Sequence, residues 1–158
     1  MRWLIVLFLF NISGYFHRDP PIMNGDAIAR IEIASMHWNA TTKGRLTPDV
    51  FWSSQRASAA KQVATDLTFY TAIEDTVFLN AVNDRLSRSS FNVDSGGIDV
   101  RVSCLLIRSN QRTDTLSFGP VHAMQINSKY YDLDTSLLKI IAEKLPERHQ
   151  EIISRDLQ

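Results

Sequence analysis

The chain has 158 residues, 44% of them hydrophobic and 22% charged, a composition that fits a folded globular protein and excludes the disordered and fibrous classes. Seventeen basic residues balance seventeen acidic ones, so no net field draws the chain onto nucleic acid or an anionic membrane. Cys104 is the single cysteine, which excludes an intramolecular disulfide and any zinc or iron–sulfur site built on cysteines.

The chain opens on Met1-Arg2, continues through the unbroken apolar run Trp3 to Phe10, and then brings small and polar residues at Asn11-Ile12-Ser13-Gly14. That order matches the charged, hydrophobic and cleavage regions of a secretory signal. Extended to Phe16, the stretch would make a helix of roughly 21 Å, short of the about 30 Å of a bilayer's hydrocarbon core. Residues 1–16 are therefore expected to be a signal peptide or a short hydrophobic anchor. Asn11 and Ile12 are poor recognition residues for a signal peptidase, which leaves retention open. Residues 17–26, with Pro20-Pro21, read as a linker, because neither proline can continue a helix or a ladder.

Residues 27–158 are expected to form one domain. Ala27 to Trp38 places Ile31 and Ile33 on one face and Glu32 on the other, the alternation of a strand. Thr47-Pro48 has the cap and first-residue preference of a short helical turn running to Trp52. Val63 to Ile73 suggests a second strand, and Glu74-Asp75 places acidic residues at the start of a helix whose Phe78, Leu79, Val82 and Leu86 recur at helical spacing. Ile98 to Arg108 reads as one long strand with Ile98, Val100, Val102, Cys104 and Leu106 on a shared face. Residues 109–112 form a hairpin loop to the strand Asp114–Gly119, and Ala123–Ile126 adds another. Asn127-Ser128-Lys129 is a tight connection to Tyr130 and Tyr131, after which Asp134 or Thr135 caps a helix carrying Leu137, Leu138, Ile141 and Leu145. Pro146 either ends this helix or opens a short terminal one. The order predicts an α+β fold: a two-layer sandwich, a mostly antiparallel sheet with two helices packed on one face.

Reactive chemistry is sparse. The histidines at 17, 37, 122 and 149 have no second histidine or carboxylate at metal-binding helical spacing, so neither a metal nor a cofactor is expected. Glu147 and Glu151 flank His149 at two residues, which places it on a solvated helix face. His122, in an interstrand turn, is the one candidate general base, with Ser117 or Ser128 as a nucleophile brought near by folding. Arg101, Arg108 and Arg112 read as scattered solvated charges, and Cys104, inside an apolar run, as a buried hydrophobe. Asp132 and Asp134 are the only paired carboxylates, with Asp134 better explained as a cap.

The stretch Gln125 to Tyr131, followed by Asp134 and the helix 137–141 ending at Leu145-Pro146, resembles the tail of small uncharacterised exported bacterial proteins, and Thr41 to Phe51 is similar to them as well. Ser128 stands where glycine would be expected. The resemblance implies an α+β fold and a periplasmic or surface setting, and it brings no activity. Together these readings lead to an exported, non-catalytic binding protein with a protein partner in the cell envelope; an immunity-like protein or an inhibitor is one form of it. Trp38, Trp52, Tyr130 and Tyr131 are the candidate interface anchors. Membrane contact is confined to residues 1–16 if they are retained. The alternatives are a small hydrolase-like enzyme using His122 and a structural component of an envelope assembly.

Overall fold

The computed structural model describes residues 26–36, 38, 46–53, 68–88, 97–120 and 123–157. Residues 1–25, the segment 63–67 of the expected second strand, and His17, His37 and His122 lie outside them.

Among the described residues there are six strands: β1 Ile28–Met36, β2 Thr68–Ile73, β3 Val102–Arg108, β4 Thr113–Phe118, β5 Ala123–Ile126 and β6 Lys129–Asp132. They form one sheet in the order β2-β1-β3-β4-β5-β6, and every neighbouring pair is antiparallel. Because β2 and β3 both oppose β1, they run parallel to each other, and the connection between them carries the helix α2 (Thr76–Arg88). From β3 onward the sheet is a meander of short hairpins.

Alternation sorts the side chains. Ile31 and Ile33 of β1, Cys104 and Leu106 of β3, Leu116 and Phe118 of β4, Met124 and Ile126 of β5, and Tyr131 of β6 face one side and are buried together. The helices α2, α3 (Thr135–Ala142) and α4 (Glu147–Asp156) cover that face. Phe78, Leu79, Val82 and Leu86 contribute the apolar stripe of α2, and Leu137, Leu138, Ile141 and Ala142 that of α3. Each such leucine, isoleucine or phenylalanine, removed from water, contributes roughly 1.5–3 kcal/mol before chain entropy is counted. The fold is α+β, a six-stranded antiparallel sheet with helices packed against it.

Side-chain caps set the helix starts. Asp75 accepts hydrogen bonds from Val77 N (2.9 Å) and Phe78 N (3.1 Å) at the head of α2, and these bonds hold its carboxyl below the ordinary aspartate value despite some desolvation. Asp134 accepts from Leu137 N at 3.0 Å and is held by Arg85, whose Nε lies 2.8 Å from it. Pro146 occupies the N-cap position of α4, so it separates two helices rather than kinking one.

The other face is partly covered by α1, the helix at residues 48–53. Phe51 and Trp52 bury themselves there with Ala34, Ile98 and Val100 as a second, smaller core. This departs from the single-faced strand expected over 98–108. Val100 N donates to Leu46 O (3.0 Å) instead of entering the ladder, which begins only at Val102. Ile98 and Val100 therefore join the second core, while Val102, Cys104 and Leu106 join the first.

The hairpins show their backbone chemistry. In the β3–β4 loop Gln111 has φ 69°, and in the two-residue β5–β6 loop Asn127 and Ser128 have φ 47° and 69°, the pair of left-handed conformations of a type I′ turn. At Gly119 the constraint is space: a Cβ would stand 2.6 Å from the carbonyl oxygen of Asp99. Two substitutions should therefore move stability in opposite directions. In chemical denaturation, Ser128→Gly is expected to stabilise by about 0.5–1 kcal/mol by relieving the left-handed penalty. Gly119→Ala should cost about 1–3 kcal/mol, because backbone rather than a side-chain tip must give way.

Candidate functional site

The second face of the sheet carries an open polar cleft of about 530 Å³. Its floor is made by three neighbouring strands, through Thr115 of β4, Gln125 of β5 and Tyr130 of β6. Gln125 and Tyr130 are direct cross-strand partners, so their side chains leave the sheet side by side. The wall is the entry to α1, with Thr47, Pro48 and Asp49, and the β5–β6 turn closes one end with Asn127 and Ser128.

The turn is braced from beneath. Asn127 N donates to Thr115 O (3.0 Å), Thr115 N donates to Asn127 Oδ1 (2.9 Å), and Asn127 Nδ2 donates to Asp114 Oδ1 (2.7 Å). Asn127 is thus committed to the scaffold. Gln125 is only 7% exposed and lines the cleft.

The wall is fixed at two points. Trp52 Nε1 donates to Ser103 Oγ at 2.9 Å, and Ser103 Oγ lies 2.7 Å from Ser117 Oγ, so α1 is tied to the middle of the sheet through buried hydroxyls. Leu46, just ahead of α1, donates its N–H to Asp99 Oδ1 (2.9 Å) while its carbonyl accepts from Val100 N. Asp99 is gripped by both ends of the Arg101 guanidinium, at 2.9 and 2.8 Å, and Arg101 Nε reaches Trp38 O at 3.2 Å.

The expected anchors separate on this frame. Trp38, Trp52 and Tyr131 are buried in the two cores, so their rings serve packing rather than an interface. Tyr130 is half-buried and lines the cleft. His122 lies outside the described residues. Of its two possible nucleophiles, Ser117 is fully buried and bonded to Ser103, and Ser128 sits on the exposed turn at the cleft. Asp132 is exposed on β6 and Asp134 caps α3, so the two carboxylates do not act as a pair.

His149 corrects the solvated-face reading: it is 4% exposed, and its Nδ1 lies 2.9 Å from Ser35 Oγ. Ser35 is fully buried on β1, so the contact pins α4 to the sheet rather than presenting a nucleophile. The available signal was the spacing of four from His149 to Ile153, which share the buried face of α4.

The arginines are corrected likewise. Arg101 and Arg108 are buried, and Arg112, although exposed, reaches Asp114 at 3.0 Å. No basic patch arises from the three. Cys104 is fully buried and burial pushes its thiol well up, so it has no thiolate character. Among the described residues, no group of three or more histidine, cysteine, aspartate or glutamate side chains could hold a metal ion, and no helix is long and apolar enough to cross a membrane. No family model, curated protein or solved structure matches the chain.

Beneath the cleft lies a buried ion pair. Arg108 Nε is 2.7 Å from Asp114 Oδ2, with both side chains almost wholly excluded from solvent. Burial alone would raise the Asp114 carboxyl, but bonds from Arg108 and Asn127 and the charges of Arg108 and Arg112 hold it below the ordinary value. A carboxyl depressed in the folded state stabilises fully above its unfolded value of about 3.9, and that stability is lost as pH falls through the folded value. Asp114→Ala should cost about 3–5 kcal/mol at neutral pH by stranding Arg108. Asp114→Asn should also lose stability at neutral pH, and its stability should fall less steeply than that of the unsubstituted protein as the medium is acidified below about pH 4. Parallel acid limbs for the two proteins would remove Asp114 from this role.

Proposed function

We propose that the chain is a non-catalytic binding protein that works outside the cytoplasm and recognises a component of the cell envelope with the cleft on the second face of its sheet. The observation that carries this reading is the cleft itself: an open cavity of about 530 Å³ presenting hydroxyl, amide, carboxylate and phenol groups from three strands and α1. That volume falls within the range of about 300–1,000 Å³ typical of small-molecule sites. The groups lining it bind and orient. The extracytoplasmic setting rests on Met1-Arg2 and the apolar run that follows. An inhibitor or immunity-like role is one form of the same reading.

A second reading, a structural component of an envelope assembly, draws on β2. Among the described residues this strand ends the sheet, and its Tyr70 is 48% exposed. Such an edge can pair with a further strand.

Capture from envelope extract separates these readings. The full chain should retain one component in stoichiometric amount, and Tyr130→Ala should release it while leaving the circular dichroism spectrum unchanged. Retention that ignores Tyr130 but is lost on Tyr70→Lys would favour the assembly role. No capture, together with a hydrolytic turnover abolished by His122→Ala, would replace both with the enzyme reading.

A further inference from the structure

The cleft also constrains what can occupy it, and this step rests on the binding-protein reading above. Gln125 lines the floor of the cleft and is more than nine-tenths buried as a residue. Its amide both donates and accepts, so it matches an occupant that does the same. The neighbouring groups share the same double capacity: Thr115 is beside Gln125 on the floor, and Thr47 and Ser128 bring hydroxyls at the wall and the turn.

Charge narrows the class further. Among the described residues lining the cleft, Asp49 is the one carboxylate and none is a lysine, arginine or histidine. A phosphate or carboxylate ligand would meet the like charge of Asp49 with no counter-ion among the described lining residues, which is unfavourable in a partly desolvated site. Asp49 is instead a strong acceptor for hydroxyl donors. The Tyr130 ring, half-buried beside Gln125, offers an apolar surface on which the C–H face of a ring can rest. The floor lies on the face of the sheet and its polar groups are side chains, so it offers no strand ladder to an extended peptide.

We propose that the cleft binds an uncharged polyhydroxylated ligand, a short neutral oligosaccharide, with Gln125 and Asp49 bonding its hydroxyls and Tyr130 supporting one ring face. The test is a titration of the full chain with N,N′-diacetylchitobiose, cellobiose and maltotriose, followed by saturation-transfer NMR and calorimetry. Glucose 6-phosphate serves as the charged control and trialanine amide as the peptide control. At least one neutral saccharide should bind, and glucose 6-phosphate should bind at least roughly tenfold more weakly than it. Gln125→Leu should weaken the saccharide by roughly tenfold or more. Thr115→Val, which keeps the shape and β preference of the strand, should weaken it too in a protein whose fold is intact by circular dichroism.

Failure of all three saccharides to bind overturns the proposal. So does equal or tighter binding of glucose 6-phosphate or trialanine amide, or saccharide affinity unchanged in both variants. If the saccharides fail while an envelope protein is still captured in a Tyr130-dependent manner, the ligand class falls and the binding-protein reading stands. If Tyr130→Ala changes neither, both fall.

Discussion

A sheet of this kind has two faces, and apolar alternation covers only one of them. The second face depends on a clamp built around Leu46: its N–H is held by Asp99, its carbonyl by Val100 N, and Asp99 is itself locked by the two-pronged grip of Arg101. A bidentate guanidinium–carboxylate pair fixes direction as well as distance. Here it fixes where the chain enters α1. The Trp52–Ser103 bond then sets how far along the sheet that helix lies. Without both points, α1 would have only Phe51 and a few neighbours to hold it, and the cleft would lose its wall. Gly119 belongs to the same device, because only a residue without Cβ lets β4 end against the Asp99 carbonyl.

The chain's neutrality takes on a local meaning in this structure. Arg101, Arg108 and Arg85 each meet a named aspartate, at Asp99, Asp114 and Asp134. Two of these arginines are buried, where an unpaired guanidinium would be costly. Balanced composition is thus partly a packing requirement, with charges consumed in fastening loops and helix ends to the sheet. A buried ion pair is weak evidence of net stability, since an apolar replacement can do as well. Its direction-specific bonds do explain register: Arg108 also reaches Asp26 O at 2.7 Å, and Asp114 also binds the β5–β6 turn through Asn127.

The first face was legible in the sequence because one period governs it. Ile31 and Ile33, Leu116 and Phe118, and the stripe from Phe78 to Leu86 each follow a single strand or helix repeat into the same core. The turn places Ser128 at φ 69°, a conformation that glycine adopts at lower cost. What the pattern could not carry was any contact decided by distant residues. Ile98 and Val100 alternate like Val102 and Cys104, yet Leu46, some fifty positions away, takes the hydrogen bond that removes them from the ladder. His149 looks solvated beside two glutamates, yet it is buried and meets Ser35 on the distant strand β1. The aromatic residues show the same limit: four were equal in sequence, and position in the fold left Tyr130 alone at the cleft.

The cleft follows from these non-local choices. Ser103 and Ser117 stand on the second face of β3 and β4, and Trp52 covers them, which satisfies their hydroxyls and closes that part of the sheet. One cross-strand step further, Gln125 and Tyr130 continue the same row, but α1 reaches them only with its entry residues Thr47 to Asp49. The helix is held over β3 by its tryptophan and so leaves the β5–β6 end with polar side chains and, among the described residues, no further cover. A row of side chains that begins as buried, bonded hydroxyls thus ends as an open amide and phenol. The difference between core and site along this row is set by where a single indole is anchored, which ties the recognition surface directly to the packing that stabilises the fold.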